Sequence, residues 1–174
     1  MNPGRRNALI FGAVALAAAG VGGLVGALVR QAKSGAAQLL ASQFTDLAGR
    51  PRRLVDWQGK PMLCNFWATW CAPCREEMPL LDAAHRQYGQ KGLQVVGIAV
   101  DSADNVRKFA GLVPVGYSLV LGGAATIDLM RALGNATGGL PFTVFLDRHG
   151  RLAERKLGPL SAADLEARLQ RLLQ

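Results

Sequence analysis

Two of the three cysteines in this chain stand three positions apart, in the run Trp70-Cys71-Ala72-Pro73-Cys74. A thiolate, rather than a thiol, attacks a disulfide. The run falls where an apolar stretch, Met62 to Ala68, gives way to helical periodicity starting at Ala72. A helix N-terminus carries free N–H groups and about half a positive charge. Both would stabilise a thiolate at Cys71. Cys74 would lie one turn further in, where it can attack a mixed disulfide on Cys71 and release the other thiol. Pro73 lacks an N–H at a position whose donor would be free in any case.

Other chemistries use the same spacing. A zinc site needs a second Cys or His pair at zinc spacing, and His85 and His149 are isolated. A c-type haem site needs His after Cys74, where the chain has Arg75. A structural disulfide across so short a loop adds little stability from chain entropy. Two soft thiolates would also suit copper(I), given a third ligand. A thiol peroxidase would need a supporting Thr or Arg shell. The third cysteine, Cys64, lies mid-strand and reads as a buried free thiol.

The elements around the pair follow from pattern. Phe44 to Leu47, a turn at Gly49 and Arg53-Leu54-Val55 read as a short hairpin. Met62 to Ala68 and Leu93 to Val100 are buried strands. Ala72 to Tyr88 is a helix with apolar positions at Met78, Leu81, Ala84 and Tyr88, and Pro79 inside it predicts a kink. Ser102 to Gly111 and Ala125 to Leu133 read as helices, with a strand at Tyr117 to Leu121. Phe142 to Leu146 and Arg151 to Lys156 flank a turn ending in Gly150. In the last helix Ser161 is the cap, and Leu165, Leu169, Leu172 and Leu173 form its apolar stripe. Strands alternating with helices imply an α/β fold with a mixed central sheet covered on both faces.

Charge decides what else the chain is. Its 174 residues carry a net +8. Half of that excess is Arg5, Arg6, Arg30 and Lys33, which bracket Ala8 to Val29, 22 residues with no charged or polar side chain. As a helix that run would be about 33 Å long, enough to cross a bilayer. It reads as one transmembrane signal-anchor. Ala17-Ala18-Ala19 also fits a leader-cleavage site, although the apolar run continues to Val29. Gly22 and Gly26 form a G-x-x-x-G, with plain lipid-facing composition as the simpler reading. The remaining basic residues, including Arg50, Arg52 and Arg53, read as solvated faces, with no nucleic-acid module. The expected organisation is a tail (1–7), the anchor (8–29), a tether (30–43) and one domain (44–174).

The block Asn65-Phe66-Trp67-Ala68-Thr69-Trp70-Cys71-Ala72-Pro73-Cys74-Arg75-Glu76-Glu77-Met78-Pro79, with Gly139-Leu140-Pro141-Phe142-Thr143 later, resembles membrane-anchored, periplasm-facing thioredoxin-like proteins of the TlpA/ResA type. The resemblance runs from about Phe44 to the C-terminus. It implies a thioredoxin-like fold with an N-terminal hairpin and a central insertion between Ser102 and Leu133. Cys71 would be the nucleophile and Cys74 the resolving thiol of a protein disulfide oxidoreductase acting as a reductase. Glu77 would tune the protonation of the pair, because Asn65 stands where cytosolic thioredoxins keep a buried acid and an amide takes no proton. Pro141 would be cis and face the cysteines. The backbone of Leu140 would pair with substrate as an added strand, with Trp70 and Pro73 beside it. No cofactor beyond the Cys71–Cys74 pair is implied. The partners would be protein thiols and disulfides and an electron-donating thiol–disulfide carrier in the bacterial inner membrane. The soluble domain would face the periplasm.

Overall fold

The computed structural model describes residues 35–174 together with 23, 26, 27 and 30. The expected tail and nearly all of the expected anchor, with its leader-cleavage signal and Gly22 of its G-x-x-x-G, lie outside the described residues. Among the described residues no helix is long and apolar enough to cross a membrane.

Helix α1 covers residues 35–41. A hairpin of β1 (Gln43–Asp46) and β2 (Pro51–Arg53) follows, then a 3-10 turn at Leu54–Trp57 and strand β3 (Met62–Trp67). The cysteine-bearing helix is α2 (Ala72–Tyr88). After it come β4 (Gln94–Ala99), α3 (Ala103–Leu112), β5 (Ser118–Leu121) and α4 (Thr126–Ala132). The chain ends in β6 (Phe142–Leu146), β7 (Leu152–Leu157) and α5 (Ala162–Leu172).

One sheet of seven strands runs in the order β2-β1-β5-β4-β3-β6-β7. β3, β4 and β5 are parallel, while β1 and β6 run antiparallel to their neighbours. The mixed sheet expected from the sequence is therefore present, and the architecture is thioredoxin-like.

All six residues of β3 are buried, because both faces of the sheet are covered. The side chains alternate. Leu63 and Trp67 join the apolar cluster beneath α2 and α5, and Met62, Cys64 and Phe66 join the opposite cluster with α4. Asn65 shares the α2 face with Leu63 and Trp67. On β6, Phe142 and Val144 face the opposite cluster, so Thr143 also points toward α2. This alternation decides which polar groups meet the cysteine-bearing helix.

Two local readings change. The stretch read as a tether contains α1, whose Ala36 and Leu39 are buried against Leu129, Met130 and Leu133. Their spacing, with Leu40 next, is one helical face. Leu54 and Val55 do not extend β2. They enter the 3-10 turn, which buries Leu54. Between Ser102 and Leu133, the segment expected as an insertion, the chain builds α3, the third parallel strand and α4.

Candidate active site

Cys71 is the N-cap of α2. Its backbone is extended and its carbonyl accepts the first helical bond, from the N–H of Arg75 at 3.2 Å. Ala72 and Pro73 fill the first two helical positions, which require no donor. Cys71 and Cys74 form a disulfide with Cα atoms 5.3 Å apart. The two sulfurs are unequal: Cys74 is wholly buried, and Cys71 keeps 6% of its surface exposed. An incoming thiol or disulfide therefore meets Cys71.

Two contacts hold the loop that leads into α2. Asp101, just beyond β4, accepts from the N–H and the hydroxyl of Thr69, at 3.0 and 2.5 Å. Its other oxygen accepts from the N–H of Ser102 and the amide of Asn105 in the first turn of α3. Partial burial raises the Asp101 carboxyl, but these donors outweigh it and hold the group below the usual carboxylate range. Arg75 donates to the Thr69 carbonyl at 2.6 Å. Sequence reasoning missed Asp101, because its partner lies far away in the chain and only the β3–β4 register joins them.

Glu77 lies one turn beyond Cys74 on the buried face of α2, with 4% of its surface exposed. Oε1 accepts from Asn65 Nδ2 at 2.7 Å, and Oε2 accepts from the main-chain N–H of Leu160 at 2.9 Å. Burial pushes the carboxyl above its usual range, and the Leu160 and Asn65 donors pull it partly back. Asn65 Nδ2 also donates to Thr143 Oγ1 at 3.0 Å. Asn65, Glu77 and Thr143 thus make a small polar cluster sealed between the sheet and α2.

The Leu140–Pro141 peptide is cis, as the resemblance implied. β6 begins at the next residue, and Phe142 pairs with Phe66 of β3. Pro141 therefore sits at the same end of the sheet as the cysteine loop. Leu140 finds no main-chain hydrogen-bond partner among the described residues. The loop before it is clamped by Asn135, which is buried and which sequence reasoning also missed. Its amide donates to the Gly139 carbonyl at 2.8 Å and accepts from the Gly139 N–H at 3.2 Å. Trp70 is 67% exposed beside the cysteines, whereas Trp67 is fully buried. Cys64 is a free buried thiol, pushed up to about 12 by burial, and so is inert as a nucleophile.

Among the described residues no cluster of three or more His, Cys, Asp or Glu gathers. A copper(I) ion at Cys71 and Cys74 would therefore find no third such ligand there.

Comparison with known proteins agrees with this geometry. The Redoxin family model matches residues 33–169. The thiol-disulfide oxidoreductase ResA of Geobacillus thermodenitrificans is 32% identical over 130 residues, covering 73% of this chain and 71% of the relative. The thioredoxin-like protein YneN of Bacillus subtilis is 32% identical over 130 residues, covering 71% of each. A solved thiol:disulfide interchange protein of the thioredoxin family from Chlorobium tepidum superposes with a TM-score of 0.69 at 26% identity. That superposition covers 76% of this chain and 93% of the other. With a C-x-x-C disulfide at the head of α2 and a cis-proline at the same end of the sheet, the chain belongs to the Redoxin family and is a thiol–disulfide oxidoreductase of the ResA type.

Proposed function

We propose that the protein is a membrane-tethered periplasmic reductase of protein disulfides. The observation that carries the direction is the buried carboxyl of Glu77. The N-cap position favours a thiolate at Cys71. Where it is ionised, the carboxylate one turn beyond Cys74 opposes a thiolate there, and burial already disfavours a further buried negative charge. A dithiol whose reduced form gains little from thiolate stabilisation gives up its electrons more readily, the reverse of a strong oxidant such as DsbA.

In the reaction the Cys71 thiolate attacks one sulfur of the substrate disulfide and the other sulfur leaves as a thiolate. Cys74 loses its proton to Glu77 and attacks Cys71, which frees the second substrate sulfur. Substrate lies as an extra strand against the unpartnered backbone of Leu140, beside Pro141. Trp70 and Pro73 contact its side chains.

The oxidised product needs electrons in an oxidising compartment, and a thiol–disulfide carrier in the inner membrane supplies them. The charge-free run of residues 8–29, with basic residues on both sides, supports a single-pass anchor that holds the domain outside that membrane. Cytochrome c maturation or upkeep of a copper-site thiol pair would each provide a substrate of this kind. Insulin-disulfide reduction tests the core of the reading: Cys71→Ser should abolish the activity, and an active Cys71→Ser protein would refute the mechanism.

A further inference from the structure

The amide of Asn65 stands between two groups that can each change roles. Both of its N–H bonds are in use, one to Glu77 Oε1 at 2.7 Å and one to Thr143 Oγ1 at 3.0 Å. Its Oδ1 is buried and has no donor among the described residues. Asn65 keeps 1% of its surface exposed and Thr143 none. The amide therefore stands in the orientation an ionised carboxylate demands, since such a carboxylate only accepts.

Leu160 restricts what Glu77 can do next. Its main-chain N–H reaches Oε2 at 2.9 Å and can only donate. Oε2 must remain an acceptor in both charge states of the carboxyl. A carbonyl oxygen accepts better than a protonated one, so a proton taken up by Glu77 favours Oε1, the oxygen that faces Asn65. Glu77 then becomes a donor there, and the Asn65 N–H opposite it becomes a misfit. A half-turn of the amide about Cβ–Cγ brings Oδ1 to that place and carries Nδ2 to the position where Oδ1 now has no partner. The Thr143 hydroxyl donates as readily as it accepts, so the rotated Oδ1 accepts from Glu77 and Thr143 together.

We infer that Asn65 and Thr143 form a two-position adaptor for Glu77. The amide donates to the ionised carboxylate in one orientation and accepts from the protonated carboxyl in the other. Glu77 then gains and loses a proton in a sealed site without losing its hydrogen bond to Asn65. This rests on the reading of Glu77 as the proton acceptor of the dithiol. In the resolving step the Cys74 S–H proton passes to Glu77 Oε1, and the Cys74 sulfur bonds to Cys71. The bond from Cys71 to the substrate sulfur breaks, that sulfur leaves with the electron pair, and the amide turns over. When the carrier later reduces the Cys71–Cys74 disulfide, Glu77 returns the proton to Cys74 and the amide turns back. Asn65 and Thr143 are positioning residues, acting on the sulfurs only through Glu77.

Few other titratable groups face this carboxyl. β3 and β6 bring neutral Asn65 and Thr143, and the approach to α5 brings a main-chain N–H. The residue before β5 is Tyr117, whose phenol is pushed well up by burial and by the charges of Glu77 and Asp82, so it stays neutral. The cysteines do not titrate while they are joined.

The test uses the full-length, isotope-labelled, oxidised chain in detergent, followed by NMR from about pH 4 to 9, a range that spans ordinary and raised carboxyl pKa values. The Glu77 carboxyl carbon and the Asn65 side-chain nitrogen should titrate with a common midpoint. The contact between the Asn65 amide protons and the Thr143 methyl should fade on the acid side. Glu77→Gln places a permanent donor at Oε1, so Asn65 should adopt the rotated orientation at every pH. In the reduced enzyme, Thr143→Ser should keep the midpoint of the pH–rate profile and Thr143→Val should move it. An unmoved midpoint in Thr143→Val, or a Glu77 that titrates while Asn65 keeps its contacts, overturns the adaptor and leaves Glu77 as the proton acceptor. A Glu77 that does not titrate, with reduction indifferent to Glu77→Gln, overturns both.

Discussion

Three side chains divide the work around the sulfurs. Cys71 takes the helix terminus and the exposed edge, Cys74 the interior, and Glu77 a sealed position one turn deeper. Glu77 makes stability depend on pH in a direction that can be worked out. Its folded pKa lies above the ordinary 4.5, so the folded protein binds the proton more tightly than the unfolded chain. Its contribution is fully present below 4.5 and is lost as pH rises through the folded value. Glu77→Gln removes that loss, and glutamine can still accept from Leu160. The melting temperature of oxidised Glu77→Gln should therefore gain on wild type as pH rises from about 5 to 8. A constant difference would contradict a raised carboxyl pKa. The cysteines were legible at this scale because their meaning lies in spacing and in the helix start. Asp101 and Asn135 were not, because an isolated Asp or Asn in sequence carries no mark of the backbone it holds. The cis state of Pro141 was legible only through resemblance, since most X-Pro bonds are trans.

The elements that carry the site were the plainest in the sequence. α2 begins and ends where its apolar spacing and the cysteine run place it, and β3 reads as a fully buried strand. Ser161 caps α5 as the pattern suggests, accepting from the N–H of Asp164 at 3.1 Å. The same stretch of chain presents the Leu160 N–H to Glu77, so this cap also helps to fix the buried carboxyl. α1 was missed because small and polar residues dominate residues 31–43 and hide a short apolar stripe of Ala36, Leu39 and Leu40. Leu39 is fully buried against α4. Leu39→Ala should cost about 2–5 kcal/mol in denaturant unfolding. A change within about 0.5 kcal/mol, typical of a surface site, would restore the tether reading. The second hairpin strand lies at Pro51–Arg53, two residues before the expected Arg53-Leu54-Val55: Leu54 and Val55 suit a strand locally, while tertiary burial draws Leu54 into the 3-10 turn.

For the molecule as a whole, charge and hydropathy carry a different message from the fold. Half of the net +8 flanks the charge-free run of residues 8–29, and the rest lies in a domain of ordinary balance. The domain's acids are largely paired with arginine, as in Asp147 with Arg151 and Glu154 with Arg168 and Arg171. The anchor reading predicts that the native protein stays with the membrane fraction in high salt and is released by detergent; release by salt alone would refute it. The sheet brings Cys71, the cis-proline and Glu77 together from segments far apart in the chain, and resemblance supplied what periodicity could not. The central claim is that this assembly is a reducing dithiol. Its most direct test is the potential of the Cys71–Cys74 pair, measured by equilibration of the full-length protein with thiol–disulfide buffers. A value toward the thioredoxin end of the range, about −270 mV, is expected, and one near the DsbA end, about −120 mV, would contradict the account.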